Sequence, residues 1–471
     1  MPEDSKSIIH ALDRVLTHLS EHPYPHVPTP QGTKKRASVA VIIRVRPPFT
    51  PVPPSNGSVI AVDQPTSPPS SLKEFFSQEW VQEGDPELLF IKRAGRAGDR
   101  WSGHTALPGG KKDPEDADDL AAAIRETREE VGLDLDTAPC LHAGNLPERL
   151  VSTSWGMEVL MVLCPYIFVL TGKTVPAIQP QPTEVASVHW VSLRALLSPT
   201  LRTRESVAIS SRMARHVGPA VHKMIRYTMG KMMFSAIRLL PTESVYASSI
   251  PGFIPDEGGD QLSTVSGWAQ APFGVPSSSK SLGYQQPIIL WGLTLGVLAD
   301  LLDQLPPYNA VKLWKYPTFT VPDLRLLVWI LTRSFRKNSA ETFSSGSWPS
   351  QTAMDATTQA TAVSTSEPRA EGEHATFKKD SVGIGGLGVG KDPQHAVGKL
   401  LHGYYERINV AIAVFLIYRL AATAGIGSGK DDVVRIYKTS TMPSARHDAK
   451  PPRATLVIHI RLHSRSIVGN I

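Results

Sequence analysis

The stretch LPGGKKDPEDADDLAAAIRETREEVGL, residues 107–133, constrains this chain more than any other segment. It opens with a Gly-Gly turn, continues through a cluster of acids, and ends with paired glutamates and a glycine. Acidic side chains near the start of a helix suit its dipole, and glycine commonly follows its last turn. The pattern therefore predicts a helix from about Asp116 to Val131 that is stopped by Gly132.

Three glutamates would share one face of this helix. Glu126, Glu129 and Glu130 are spaced i, i+3 and i+4, and residues at these spacings are neighbours on a helix surface. Carboxylates this close repel one another, which raises their pKa values unless a positive charge lies between them. A ligand set made only of oxygen favours Mg²⁺, with Mn²⁺ as a substitute. The alternative, a solvated acidic face, accounts for the glutamates alone but not for the residues around them.

The residues around the glutamates fit such a metal site. Arg125 can orient a carboxylate with its planar guanidinium. Gly109 and Gly110 allow the backbone to turn tightly beside the metal. A metal held by one or two carboxylates keeps waters and also binds substrate phosphates. The stretch therefore predicts hydrolysis of a diphosphate, in which the metal neutralises phosphate charge and activates a water.

The segment resembles the Nudix box, whose pattern is G, five residues, E, seven residues, then R-E-U-x-E-E-x-G-U, with U aliphatic. The second half matches from Arg125 to Leu133, with Thr127 in place of one aliphatic residue. The first half departs, because Gly110 lies one residue further from Arg125 and Ala117 occupies the glutamate position. We expect Asp116 or Glu115 to serve in place of that glutamate.

The longer loop of the form GGxxDPxDxDD is similar to that of the coenzyme A diphosphatase branch of this family. That branch also carries an upstream signature, which Gly103 and the Leu107–Gly110 turn match, with Leu107 in place of phenylalanine. Its arginines correspond to Arg93 and Arg100, although their spacing differs. The resemblance implies that these two arginines, together with Gly109 and Gly110, contact the substrate.

The resemblance also implies roles within the box. Glu126 and Glu130 would be the core metal ligands, and Glu129 an additional ligand. The predicted catalytic residues are Glu129, Glu130 and Arg125, with Arg125 as the orienting residue. The general base stays open between Glu129 and a loop acid such as Glu184.

The domain organisation follows from shifts in composition along the chain. The family implies an α/β fold, an α/β/α sandwich with a mixed sheet, over residues 36–304, with the box at about 109–133 and an insertion at 198–285. An N-terminal helix and a Pro-rich linker precede it over 1–35. An extension and a disordered linker follow over 305–395, and an apolar helix (408–427) with a basic tail over 396–471. Individual strands are predicted over 37–46, 86–93, 157–170 and 183–193, and helices over 8–19 and 288–305.

Composition excludes several other classes. The 471 residues carry a net charge of +6, yet no basic-aromatic pattern indicates nucleic-acid binding. The two cysteines, Cys140 and Cys164, lie in no metal or disulfide spacing, which favours a reducing intracellular compartment, with the cytoplasm expected first and an organelle as the alternative. The apolar segment 408–427 is nearly long enough to span a membrane but has Arg419 at its centre, so a buried or interfacial helix is favoured over a span. The oligomeric state is not indicated.

The predicted function is metal-dependent hydrolysis of a nucleoside diphosphate derivative, with coenzyme A or its derivatives as the favoured substrate and 3′,5′-ADP and phosphopantetheine as products. One alternative is a diphosphatase that cleanses the nucleotide pool of oxidised or canonical nucleoside triphosphates. Another is a non-catalytic scaffold of the same fold that is tethered by its C-terminal tail.

Overall fold

The computed structural model describes residues 5–30, 35–48, 68–95, 101–152, 159–208, 228–249, 287–344, 396–401 and 403–426. The helices in chain order, α1 to α9, are Ser5–Glu21, Leu72–Phe76, Glu79–Gln82, Asp119–Val131, Leu193–Leu197, Gly292–Leu302, Pro322–Ser344, Ala396–Leu401 and Tyr404–Ile426. The strands, β1 to β13, are Arg36–Arg46, Asp85–Arg93, Thr105–Ala106, Gly109–Lys111, Cys140–Asn145, Arg149–Ser152, Val159–Leu170, Val185–Ser192, Arg202–Ala208, Lys231–Arg238, Pro241–Tyr246, Ile289–Trp291 and Thr318–Phe319.

The main sheet is built around β1. Its strand order is β11-β8-β2-β1-β7-β5, and β3, β4 and β6 pair with β2, β1 and β7. Strands β1 and β7 are parallel, whereas β2 and β4 run antiparallel to β1. The predicted α/β class with a mixed sheet is therefore confirmed. Because β1 contacts β2, β4 and β7 directly, it fixes the position of the Gly-Gly turn at β4.

Helices cover both faces of this sheet. On one face, alternate residues of β1 such as Val41 and Ile43 pack in a cluster with side chains of α1, α2, α5 and α6. On the other face, Ala40 and Ile42 pack with Ala123 and Val131 of α4. Side chains along a strand alternate between faces, so the apolar run of β1 supplies both layers at once.

Helix α1 is an integral part of the first layer. Its buried residues recur every three or four positions, as expected of an amphipathic helix, and they are Ile8, Ile9, Ala11, Leu12, Val15, Leu16 and Leu19. The segment that follows is also attached to the sheet, because the Asn145 side chain accepts from the Tyr24 backbone N–H and donates to the Tyr24 carbonyl, at 2.8 and 2.9 Å. The predicted N-terminal helix therefore packs directly onto the sheet and shares its hydrophobic core.

The interval 198–285, predicted as an insertion, contributes strands to the main sheet and to a second, smaller sheet. Strand β11 pairs with β8 at the edge of the main sheet. Strands β9 and β10 pair with each other, and β10 also pairs with β12 and β13 to form a second sheet. Residues 209–227 and 250–286 of the interval lie outside the described residues.

The predicted helix over 288–305 is wrong at its start. Residues Ile289–Trp291 form strand β12, which pairs with β10, and α6 begins at Gly292. Gly292 has a φ of +65°, a conformation that glycine adopts readily and other residues rarely. The chain changes from strand to helix at this glycine, a change that the unbroken apolar run of the segment does not reveal.

The C-terminal part of the described chain is helical. Helix α7 occupies part of the predicted linker 305–395, of which residues 345–395 lie outside the described residues. The chain divides into two compact units, Met1–Ile408 and Asn409–Ile471, and α9 crosses that boundary over most of the predicted apolar segment 408–427. Within the described ranges, α9 included, no helix combines the length and the apolarity that crossing a membrane requires.

Candidate active site

Helix α4 carries the acidic residues of the box. It begins after Asp118, whose side chain accepts a hydrogen bond of 2.7 Å from the Ala121 backbone N–H, and it ends at Gly132 in the left-handed conformation. These are standard N- and C-terminal caps. Ala122, Ala123 and Val131 are buried on the side that faces the sheet, so the polar side of α4 is directed to the Gly-Gly turn.

The backbone of the turn holds Glu130. The Gly109 N–H donates a hydrogen bond of 2.8 Å to Glu130 Oε2. Gly109 has a φ of +145°, and a Cβ there would overlap the Ser38 carbonyl on β1. Only glycine therefore fits between β1 and the glutamate. Glu130 is 2% exposed, and this backbone contact fixes the orientation of its carboxylate.

Gly110 makes room for the second glutamate. A Cβ at Gly110 would overlap the carboxylate carbon and both carboxylate oxygens of Glu126. The two glycines thus bring the backbone of β4 against two different carboxylates of α4. Both were predicted as substrate contacts, and the structure places them directly beside Glu126 and Glu130.

Burial and mutual repulsion set the electrostatics of this site. Burial is the largest cause that raises the pKa of Glu130, to about 8, and the charges of Glu126 and Glu184 raise it further. Burial also raises the pKa of Glu126, with added repulsion from Glu129 and Glu184. Carboxylates that disfavour one another's charge in a buried setting require a cation or a proton between them.

Arg125 connects the carboxylates of the box. Its Nε and Nη2 donate to the two oxygens of Asp116 at 2.9 and 3.1 Å. Its Nη1 donates to Glu129 at 2.8 Å, and Nη2 also donates to Glu126 at 3.1 Å. The Arg125 guanidinium in turn lowers the pKa of Asp116. Such a forked contact holds a side chain in one orientation, which fits the predicted orienting role.

Two departures from the box pattern have a structural explanation. Asp116 is buried against Arg125, whereas Glu115 is exposed. Of these two candidates, Asp116 is therefore the one that contacts Arg125. Thr127 is completely buried, and its hydroxyl donates to the Ala123 carbonyl at 2.7 Å. Its polar atom is satisfied within the helix, which allows threonine at an apolar position.

The third glutamate of the box lies at the edge of the site. The Glu129 side chain is 55% exposed and pairs with Arg125. Glu184, the alternative candidate for the base, acts electrostatically on both Glu126 and Glu130. Its loop is attached to the end of α4, since the Gln179 and Gln181 N–H groups donate to the Val131 and Glu130 carbonyls at 2.8 and 2.9 Å.

One of the two arginines predicted to contact the substrate lies at the site. Arg93, at the end of β2, places Nη1 at 3.7 Å from Glu130 Oε1. Arg100 lies outside the described residues.

The residues of the site fit the divalent cation that the sequence predicts. Glu126 and Glu130 offer oxygen atoms only, which suits Mg²⁺ or Mn²⁺, and the absence of a side chain at Gly110 leaves room for the Glu126 carboxylate. A proton or a cation is also what their raised pKa values call for.

A second acidic cluster lies at the other end of α4. Ligand atoms of His26, Asp119 and Glu148 come within 4.8 Å of one another. Arg36 already joins them, because its Nε donates to Asp119 at 2.8 Å and its Nη2 to Glu148 at 2.9 Å. The guanidinium supplies the positive charge that a metal would otherwise provide, so we interpret this cluster as an ion-pair network that anchors the start of α4.

The sequence does not predict the ion pairs of Arg36, because they join residues that are far apart along the chain. Arg36 and Asp119 are 83 residues apart, and Arg36 and Glu148 are 112 apart. No local pattern marks such a pair. The one available signal is that charged residues stand at the ends of otherwise apolar strands.

Comparison with known proteins agrees with this geometry. The NUDIX domain family model matches residues 80–210. An uncharacterized protein of Schizosaccharomyces pombe is 30% identical over 339 residues, which cover 71% of this chain and 85% of that protein. The chain belongs to the Nudix hydrolase family.

Within that family the chain lies near the coenzyme A diphosphatase branch. The mouse peroxisomal coenzyme A diphosphatase NUDT7 is 31% identical over 134 residues, or 26% of this chain and 48% of that protein. The mouse mitochondrial coenzyme A diphosphatase NUDT8 is 46% identical over 52 residues, or 11% of this chain and 25% of that protein.

Proposed function

We propose that this chain hydrolyses the diphosphate of coenzyme A or of its acyl derivatives, with Mg²⁺ or Mn²⁺, and releases 3′,5′-ADP and phosphopantetheine. The observation that carries the proposal is the pairing of a Nudix box with the Gly103–Gly110 loop typical of the coenzyme A branch. The similarity to two coenzyme A diphosphatases supports the same substrate.

Glu126 and Glu130 would hold the metal. When bound, the metal neutralises charge on the phosphate oxygens and lowers the pKa of a water. The Gly109 N–H keeps Glu130 in the orientation that ligation requires. Arg125, held by Asp116, does the same for Glu126. Arg93, beside Glu130, is positioned to bind an oxygen of the diphosphate.

Glu184 is our choice for the general base. Glu129 is engaged with Arg125 and directed largely to solvent, whereas the charge of Glu184 raises the pKa values of both Glu126 and Glu130. A base must lie within reach of the attacking water, and that water would lie among these carboxylates. Glu184 would take its proton as oxygen attacks phosphorus and the diphosphate bond breaks.

A substrate panel tests the proposal. Coenzyme A, acetyl-coenzyme A, ADP-ribose and 8-oxo-dGTP would be incubated with the protein and Mg²⁺ or Mn²⁺, and the products separated by chromatography. We expect 3′,5′-ADP and phosphopantetheine from coenzyme A as the fastest reaction. Faster hydrolysis of 8-oxo-dGTP would favour the nucleotide-cleansing alternative. Hydrolysis of none of them would favour the scaffold.

The matched variants are Glu130→Gln and Glu79→Gln. Glu79 is an exposed glutamate on α3, so its substitution should leave turnover unchanged. Glu130→Gln keeps the side-chain volume but removes the negative charge, and we expect it to fold normally by circular dichroism and to lose nearly all turnover. Normal turnover by this variant would refute the role of Glu130.

The compartment is proposed from the same relatives. The two coenzyme A diphosphatases are named as peroxisomal and mitochondrial proteins, and both cysteines of this chain are free thiols, as expected in a reducing compartment. We therefore expect an intracellular location, in the cytoplasm or in one of these organelles. Imaging of the tagged full-length chain would distinguish them.

A further inference from the structure

Helix α7 is attached to the rest of the protein along one side. Leu324, Val328 and Thr332 recur every four residues on that side and are 0–2% exposed. Further along, the Phe335 ring contacts the rings of Tyr316 and Tyr404, with centroids 6.4 and 5.8 Å apart. This side buries the apolar stripe that a surface helix normally has.

The opposite side of α7 exposes a second apolar stripe. Leu326, Trp329 and Ile330 are spaced i, i+3 and i+4, and they are 57%, 47% and 52% exposed. The outer face of a helix docked on a core is usually polar. Three large apolar side chains grouped on one such face form an exposed patch, and patches of this kind are typical of interaction sites.

Basic residues lie among these apolar side chains. Arg325, Arg333 and Lys337 are exposed on the same side of the helix. The Arg333 guanidinium lies 5.5 Å from the centre of the Trp329 ring, a cation–π distance. Residues 322–337 contain four basic side chains and a single acid, Asp323, in the first turn. The exposed face, which we call the α7 outer face, is therefore both apolar and positively charged.

We propose that the α7 outer face binds the surface of an anionic lipid membrane. Tryptophan, leucine and isoleucine combined with arginine and lysine are the composition of helices that lie in the membrane interface. The apolar side chains would enter the boundary between headgroups and acyl chains. The long basic side chains would extend to the lipid phosphates. This proposal uses neither the segment 408–427 nor the enzymatic proposal.

The positive charge of the α7 outer face favours an anionic membrane over a second copy of the chain as its binding partner. In a symmetric dimer formed through the same face, each subunit would present Arg325, Arg333 and Lys337 to the same basic face of its partner. Like charges at an interface oppose association. A membrane that contains anionic lipids offers the complementary charge along with an apolar layer.

Vesicle co-sedimentation of the full-length protein tests the proposal. Vesicles of phosphatidylcholine alone and of phosphatidylcholine with phosphatidylserine would be compared. We expect the protein to pellet with the second kind and to be released as salt is raised, because ions screen the phosphate–arginine attraction. Equal binding to both vesicles, or binding to neither, would overturn the proposal.

Variants locate the contact on α7. Leu326→Ser/Trp329→Ser/Ile330→Ser and Arg325→Glu/Arg333→Glu/Lys337→Glu should each weaken binding by about tenfold or more. The matched controls are Leu240→Ser, at an exposed leucine, and Lys73→Glu/Lys231→Glu/Arg238→Glu, at three exposed lysine and arginine residues elsewhere. They should bind as the unchanged protein does, and circular dichroism should show every variant folded.

Two outcomes would overturn the assignment. Equal loss of binding in the control triple variant would show that net charge, not the α7 outer face, drives attachment. A dimer on gel filtration that Leu326→Ser/Trp329→Ser/Ile330→Ser converts to a monomer, without vesicle binding, would show that a second copy covers this face.

Discussion

The Gly109 backbone N–H and the Glu130 carboxylate lie 2.8 Å apart across the gap between β4 and α4. This hydrogen bond ties the orientation of a buried carboxylate to the path of the central sheet, because Gly109 itself pairs with Val39 of β1. The position of the carboxylate therefore depends on backbone atoms, which do not change rotamer. Precise placement of this kind is what a metal ligand needs.

Gly110→Ala should impair catalysis much more than stability. The added Cβ would overlap the Glu126 carboxylate, and displacement of a catalytic group by about 1 Å can reduce turnover about 10²-fold. Turnover and the urea midpoint of unfolding would be measured together. The control is Gly95→Ala, where the nearest atom to an added Cβ is Ser102 Oγ at 3.8 Å. Equal turnover in the two variants would contradict the close approach.

Metal binding should strengthen as pH rises from about 6 to about 8. The pKa of Glu130 is raised from 4.5 to about 8, so the folded protein holds a proton in that window that the unfolded chain has released. Stability of the metal-free protein must then fall as pH rises from about 4.5 to about 8. A cation that binds the Glu130 carboxylate must displace this proton, so metal affinity should rise as the proton is lost. Thermal unfolding in EDTA and in Mg²⁺ across this range measures both effects, and Glu130→Gln should flatten the EDTA profile. A flat profile for the unchanged protein would be inconsistent with the raised pKa.

Glu184→Gln and Glu129→Gln should differ in their effect on the chemical step. If Glu184 is the base, its substitution should lower kcat by about 10² to 10⁴-fold and remove the acidic limb of the pH–rate profile. Glu129→Gln loses an exposed ion pair and should change kcat far less. Single-turnover kinetics at several pH values would separate the two. The reverse ranking would assign the base to Glu129.

Asp116→Asn should loosen Arg125 without unfolding the chain. It removes the charge that holds the Nε and Nη2 of Arg125 at 2.9 and 3.1 Å, and loss of such a charged hydrogen bond costs about 1.5–3 kcal/mol. We expect weaker Mg²⁺ affinity and lower kcat, since Arg125 also holds Glu126. Glu115→Asn, at an exposed neighbour, is the control for isothermal titration and kinetics. Unchanged metal affinity in Asp116→Asn would remove the positioning role.

Arg149 of β6 and Asp300 of α6 form a buried ion pair, and its disruption should destabilise the fold. Asp300→Ala leaves an uncompensated buried arginine, which typically costs about 3–5 kcal/mol. The double variant Arg149→Met/Asp300→Leu removes both charges and should recover much of that loss. Urea unfolding of the single and double variants measures the difference. A double variant as unstable as Asp300→Ala would show that the charges themselves are not the cause.

Local patterns predicted the elements that are strongly periodic or clearly bounded. The sequence predicts strand β1 over 37–46, because a β-branched run ends there at a Pro-Pro pair. The strand occupies Arg36–Arg46. The sequence predicts helix α4 from about Asp116, whereas the helix begins at Asp119. The difference arises because several acids precede the helix and each could serve as its cap. The spacing of Glu126 and Glu130 likewise indicated their shared face.

Long-range contacts were beyond the reach of such patterns. Asp300 lies in an apolar helix segment, and only the folded structure brings it to Arg149, 151 residues earlier. The two-residue strand β3 is too short to show alternation. The strand character of Ile289–Trp291 comes from pairing with β10, which outweighs the helical preference of its sequence context.

The central position of β1 in the main sheet limits how far the chain can be truncated from its N-terminus. The family model begins at residue 80, after both α1 and β1, yet β1 supplies the hydrogen-bonding partners of β2, β4 and β7. A polypeptide trimmed to residues 80–210 would lack β1, the strand with which the Gly-Gly turn at β4 pairs. We therefore expect the smallest stable unit of this protein to include sequence from its first helix onward, outside the residues that the family model matches.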